Sequence, residues 1–118
     1  MLMDRILAEL NKITGVVGSF VVAADGIIVA SDYDTELNDE LMGALTSSII
    51  NSTEKAVKKM EQGDLVSFIV ETDTNKLFFN ATRSGFLVCV AQPDANLGLI
   101  RVEIRAAAEK LNTALGLS

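Results

Sequence analysis

The side chains that could carry chemistry are few, and their spacing does not let them cooperate. Ser47-Ser48 offers two adjacent hydroxyls, but a serine nucleophile needs a neighbouring base, and the chain contains no histidine. In a stretch rich in small residues the pair reads as helix packing. Cys89 is the single cysteine and lies between Val88 and Val90. With no cationic neighbour in sequence to stabilise a thiolate, it reads as a small buried hydrophobe. Arg83 sits in a turn, Arg83-Ser84-Gly85. An arginine presented in trans can stabilise a phosphoryl-transfer transition state, but a turn arginine is ordinarily just solvated. Gly15, Gly18 and Gly26 do not form a phosphate loop, because no glycine-rich turn leads from a strand into a helix with Lys-Ser or Lys-Thr. The acids of residues 32–40 lack the glycine and the closing glutamate of a calcium loop. The expectation is a protein with no catalytic, cofactor or metal residues, which works by binding and is not an enzyme.

Composition narrows the partners. The chain has 118 residues, enough for one domain spanning residues 1–118, and 49% of them are apolar, too many for a disordered chain. A lone cysteine excludes an intrachain disulfide. Without histidine, a structural zinc site has almost no ligands to draw on. The formal net charge is −6, and all of it is local. Asp25, Asp32, Asp34, Glu36, Asp39 and Glu40 carry six acids with no base among them, while the ten remaining acids balance the ten bases. Such a balance argues against nucleic-acid binding, which needs clustered Lys and Arg to displace counterions. Lys55, Lys58 and Lys59 form a small basic cluster, diluted by Glu54 and Glu61, that complements a helix C-terminus and could face an acidic partner. The N-terminus lacks the basic and apolar regions of a signal peptide, and no apolar run reaches the ~18–20 residues needed to span a bilayer. A soluble cytoplasmic protein without membrane insertion is expected.

The elements that must position these residues follow from periodicity. Ile6, Leu7, Leu10 and Ile13 predict a helix over residues 4–14, either capped by Asp4 or with Met3 already inside it, and ended by Gly15. Residues 16–24 and 27–31 are β-branched runs joined by Asp25-Gly26, which predicts a hairpin with a type I′ turn. A long helix is expected over residues 37–62, ended by Gly63. Leu37, Leu41, Ala44, Leu45, Ser48, Ile49, Ser52 and Ala56 form one stripe on it, and Met42, Ile50, Val57 and Met60 a second. Three strands, residues 65–72, 76–82 and 86–91, make a meander. A final helix over residues 97–115 starts at Asp94 or Asn96, with Leu97, Ile100, Ile104, Ala107, Ala108, Leu111 and Leu115 on one face and an Arg105–Glu109 pair on another. Asn96-Leu97-Gly98 reads as its cap, a core anchor and a closely packed first turn.

The element order is therefore α-β-β-α-β-β-β-α. The first and fifth strands are the most continuously apolar and belong at the centre of the sheet. This predicts an α/β (α+β) domain built on a five-stranded antiparallel sheet of order 2-1-5-4-3, with the long helix on one face and the two terminal helices on the other. Strand 3 then lies on an edge without proline or charge between Asp64 and Glu71, a surface that proteins ordinarily blunt or cover. The acid-rich flank of strand 2 discourages pairing at the opposite edge. A homodimer across the strand-3 edge follows as the expectation, with the interface formed by Leu65, Val66, Phe68 and Ile69 together with Leu41, Ala44, Leu45, Ser48 and Ser52.

The hairpin Val16-Val17-Gly18-Ser19-Phe20-Val21-Val22-Ala23-Ala24-Asp25-Gly26-Ile27-Ile28-Val29-Ala30-Ser31 and the stretch Pro93-Asp94-Ala95-Asn96-Leu97-Gly98-Leu99-Ile100-Arg101 occur within this element order. The combination resembles the roadblock family of dynein light chains and its prokaryotic relatives. The resemblance covers nearly the whole chain. It implies the five-stranded fold, dimers formed through strand 3 and the long helix, and a role in regulating or scaffolding small Ras-like GTPases. Bacterial relatives that control polarity act as GTPase-activating partners. The leading expectation is a non-enzymatic homodimer that binds a small Ras-like GTPase. The alternatives are a small-molecule-sensing domain, for which the strands offer few inward polar residues such as Ser19, Ser67 and Asn80, and a purely structural subunit of a larger assembly.

Overall fold

The computed structural model describes residues 2–114. Its elements are α1 (Leu2–Asn11), β1 (Val16–Ala23), β2 (Ile28–Asp32), α2 (Asp39–Lys59), β3 (Ser67–Glu71), β4 (Lys76–Ala81), β5 (Gly85–Ala91) and α3 (Leu97–Ala114). The five strands are antiparallel in the order β2-β1-β5-β4-β3, as the apolar continuity of the central strands requires. Leu115, expected on the last helix, lies outside the described residues.

The sheet separates two cores. On one face α1 and α3 bury Ile6, Leu7, Leu10, Ile100, Ile104 and Leu111 against Val21, Phe78, Leu87 and Cys89. On the other, Ile50 of α2 meets Phe20, Val22, Phe79, Phe86, Val88 and Val90. A polar link stitches the first layer to the sheet edge: buried Ser19 donates its hydroxyl to Asn11 Oδ1 at 2.8 Å, and Asn11 Nδ2 donates to the Asp32 carbonyl at 2.7 Å.

Several boundaries differ from expectation. α1 stops at Asn11, where Lys12 and Ile13 N–H groups bond to carbonyls three residues back, and Gly15 makes the turn at φ +93°. The β1–β2 connection is not a type I′ turn. Asp25 does not take positive φ, Gly26 N–H bonds to the Ala23 carbonyl, and Gly26 alone is left-handed at φ +88°. This makes a three-residue loop, a turn followed by a glycine bulge. Asn38 caps α2, its Oδ1 accepting from Leu41 N–H at 2.8 Å, so Leu37 lies before the helix. The helix ends before Met60, with Glu61 taking the left-handed position (φ 58°) that the sequence suggested for Gly63, which is itself left-handed but two residues later. Its 21 residues span roughly 32 Å. Leu65 and Val66 precede β3, although the Val66 carbonyl still accepts from Ala81 N–H. Asn96 caps α3 through Leu99 N–H, but Leu97 is exposed and an added Cβ at Gly98 would meet only Asn96 Oδ1 at 3.7 Å, so neither the core anchor nor the tight first turn exists. Among the described residues Arg105 and Glu109 form no ion pair; the exposed side chains remain solvated, as i,i+4 pairs of little net value often do.

α2 is seated by glycine on glycine. A Cβ added at Gly43 would strike the Gly26 carbonyl, so the helix backbone rests directly on the β1–β2 loop. Gly43→Ala adds ~1 kcal/mol of helix propensity yet lifts α2 from the sheet, because backbone cannot rotate aside. The expected net effect is a loss of about 2 kcal/mol, read as a lower urea midpoint, whereas Ala56→Gly on the exposed side of the helix should cost only ~1 kcal/mol.

Candidate interaction surface

α2 carries two apolar faces, and only one is used within the chain. Gly43, Thr46 and Ile50 are buried toward the sheet, with Met42 partly buried beside them. Thr46 satisfies its hydroxyl on the Met42 and Gly43 carbonyls, at 2.8 and 3.3 Å. The other face is open: Leu41, Leu45 and Ile49 are 44%, 48% and 38% exposed. Their four-residue spacing stacks them in one row along the helix. Exposed Leu37 extends the row beyond the cap, and exposed Ala44, Ser48 and Ser52 flank it with small side chains. No charge interrupts α2 between Glu40 and Glu54.

The two sheet edges are built differently. β2 is bulged at Val29, since Val21 pairs with Ala30 and Val22 with Ile28, and the strand ends at Asp32, whose carbonyl Asn11 takes up. Bulges, charge and a covering side chain all oppose further pairing. β3 has none of these. It pairs with β4 in unbroken register from Ser67↔Asn80 to Glu71↔Lys76, and its other edge has no neighbour in the sheet. Only at its far end does a charged pair appear, Lys76 Nζ to Glu71 Oε2 at 3.9 Å.

The residues expected at the interface fall into three groups. Leu41, Ala44, Leu45, Ser48 and Ser52 lie on the open face of α2, and Val66 is 60% exposed at the entry to β3. Leu65 and Phe68 pack into the α2-side core, where the Phe68 ring stacks on Phe79 with centroids 4.3 Å apart and meets Phe86 edge-on. Ile69 lies on the opposite side of the sheet, lining a groove with Ser67, Asn80, Arg101 and Arg105. The nine residues therefore do not form one contiguous patch on a single chain. Leu37 and Ile49 belong to the exposed row but were absent from the expected interface; their membership in the same periodic stripe was the available signal. The exposed Leu99 and Val102 of α3 carried no such signal, because they fall outside the helix's apolar face.

Residues considered for chemistry are dispersed. Ser48 is exposed on α2, while Ser47 faces the β1–β2 loop near Gly26. Arg83 is exposed on the β4–β5 turn. Cys89 is fully buried in the α1/α3 core, and burial pushes its thiol up from 9.0 to about 12. Among the described residues no helix is long and apolar enough to cross a membrane.

Open on one edge and on one helix face, this is a five-stranded antiparallel sheet held between a single long helix and a pair of terminal helices. The chain belongs to the Roadblock/LC7 domain family, whose model matches residues 2–92. The uncharacterized protein MJ1340 of Methanocaldococcus jannaschii is 36% identical over 110 residues, covering 93% of this chain and 96% of that one. The structure of Myxococcus xanthus MglB shares the fold at a TM-score of 0.91 and 18% identity, covering 98% of this chain and 96% of that one. A structure described as MglB with tetrameric arrangement matches at a TM-score of 0.84 and 18% identity, covering 93% and 85%.

The buried thiol should be inert. Ellman's reagent at pH 8 is expected to leave Cys89 unmodified in the folded protein and to titrate one thiol after denaturation. Because the folded pKa lies above the unfolded value, the thiol's contribution to stability is intact below pH 9 and is lost as pH rises from there toward 12. A Cys89→Ala variant, less stable at neutral pH because of the cavity, should therefore lose less of its remaining stability than the wild type between pH 8 and pH 11.

Proposed function

We propose that this protein is a non-enzymatic homodimeric module that binds a small Ras-like GTPase in the cytoplasm and regulates or scaffolds it. The uncharged apolar row on α2 is the observation that carries this reading. A free monomer would leave Leu41, Leu45 and Ile49 partly in water, and covering the remainder of each is worth ~1 kcal/mol. The unblunted β3 edge supplies the complementary contact. Pairing two such edges across a two-fold axis continues the sheet from one copy into the next and brings the two α2 helices side by side, where Ala44, Ser48 and Ser52 permit close approach.

Membership of the Roadblock/LC7 family supports the GTPase partner, and the fold shared with MglB, including a tetrameric form, supports assembly. Regulation would follow from differential binding to the nucleotide states of the GTPase, since a partner shifts a conformational equilibrium only by its difference in affinity for the two states. The localized acidity makes nucleic acid an unsuitable partner.

Sedimentation equilibrium at micromolar concentration tests the assembly: a dimer mass is expected, and Leu45→Glu or Val66→Glu should each give folded monomer by circular dichroism. Candidate small GTPases of the same organism, loaded with GDP or a non-hydrolysable GTP analogue, should then bind the dimer with unequal affinity. A wild-type monomer would overturn the dimer. A dimer that binds no GTPase in either state would favour a purely structural subunit.

A further inference from the structure

α3 presents an outward face that the fold itself does not use. Gly98, Arg101, Val102 and Arg105 lie together on it, spaced i, i+3, i+4, i+7. Val102 is 66% exposed, more than any other large apolar side chain among the described residues. Arg101 and Arg105 flank it and reach no carboxylate among the described residues. No acid lines this face or the adjoining groove over Ser67 and Ile69; the first on the same stripe is Glu109, a turn beyond Arg105. Gly98 does not take a left-handed φ, and a Cβ there would meet only Asn96 Oδ1 at 3.7 Å. Neither a turn nor packing within the chain calls for glycine at this position. Its missing side chain leaves bare helix backbone open to close approach from outside.

A surface of the opposite character lies on the side of the sheet that α2 covers. A groove of 470 Å³ separates the β1–β2 loop from the start of α2. Its charged residues are Asp25, Asp39 and Glu40, with no base among the lining side chains, and Ile27, 60% exposed, gives it an apolar wall. All three acids are exposed and form no ion pair among the described residues. One oxygen of Asp25 accepts from Ile27 N–H at 3.1 Å, which holds that carboxylate beside the loop. Elsewhere the signs mix. Arg5 and Lys110 share the groove between α1 and α3 with Glu9 and Glu103, and Arg83 shares a cleft with Glu54.

Charge complementarity names the occupant. One chain carries both a basic ridge with an apolar knob and an acidic groove with an apolar wall. The two cannot meet within that chain, because α3 and α2 cover opposite sides of the sheet. We propose that α3 of one copy docks in the β1–β2 loop groove of a second copy. Val102 enters against Ile27, Arg101 and Arg105 donate to the carboxylates of Asp25, Asp39 and Glu40, and Gly98 lets the helix come close to the loop. The two surfaces differ, so the contact is head-to-tail. Each added copy leaves one ridge and one groove free, and the assembly extends unless its rotation closes a ring. The contact uses neither the β3 edge nor a GTPase, so it joins dimers or monomers alike. Its ion pairs are exposed, so it forms at high protein concentration and weakens with salt.

Sedimentation velocity of the full chain, from micromolar to sub-millimolar concentration and in about 50 mM and about 500 mM sodium chloride, tests the proposal. At low salt the mass should climb with concentration beyond the unit present at micromolar concentration, and at high salt it should fall back to that unit. Two charge-reversed proteins, Arg101→Glu with Arg105→Glu and Asp39→Lys with Glu40→Lys, should each associate at least about tenfold more weakly. Mixed in equal amounts they should regain the assembly, since the ridge of each now matches the groove of the other. Gly98→Gln should raise the helix propensity of α3 and the melting temperature yet weaken association. Val66→Glu, which removes the β3 contact, should halve the unit that adds without stopping the growth. A wild type that grows one chain at a time overturns the β3 dimer and not this contact. The proposal is overturned if the wild type does not grow at low salt, if its growth is indifferent to salt, or if the two charge-reversed proteins fail to associate when mixed.

Discussion

Everything on the α2 side of the molecule depends on one backbone contact, Gly43 against the carbonyl of Gly26. A side chain at Gly43 would hold the helix away from the hairpin, and one at Gly26 would be strained by its left-handed backbone (φ +88°). Without one, α2 sinks until Ile50 and Met42 reach the aromatic cluster of Phe20, Phe79 and Phe86. The same contact fixes the rotation of the helix about its axis. With Gly43, Thr46 and Ile50 turned inward, the row of Leu41, Leu45 and Ile49 has nowhere to go but outward. The exposed face is thus a geometric consequence of the seating, not an incidental surplus of leucines.

The seating also explains why the sheet has one guarded and one open edge. The hairpin that receives α2 is the β1–β2 hairpin, so its edge strand is already shaped by the bulge at Val29 and tied to α1 through Asn11. β3 enters at the other end of the chain's path, after α2 has crossed the sheet. Its regular register with β4 leaves its outer edge unpaired. Apolar surface on a helix and hydrogen-bonding capacity on a strand are different physical resources, and here they come from elements adjacent in sequence.

Much of the architecture was legible in the sequence because the central strands announce themselves. Val16 to Ala23 and Phe86 to Ala91 are apolar without alternation, which only a strand covered on both faces can sustain. From them the strand order and the helix layers follow. The boundaries were less legible where two signals competed. The apolar periodicity of α2 includes Leu37, but the Asn38 cap ends the helix first, because a side-chain acceptor for Leu41 N–H outweighs one more turn. Asp25-Gly26 fits more than one hairpin turn, and the loop that occurs is the one that presents the Gly26 carbonyl to α2. Periodicity could not tell which face of α2 turns inward, since both are apolar; the glycine and threonine decide it by close approach.

The pairing of β1 with β5 has a kinetic consequence. It joins Val16 to Ala91 and Ala23 to Gly85, strands from opposite ends of the chain, across everything that lies between them. Closing so long a loop costs entropy before any contact repays it, and topologies dominated by such pairings fold slowly. The hairpin and the meander, by contrast, close locally. The loop-closure cost of this domain is therefore concentrated along the centre of its sheet, where β1 meets β5.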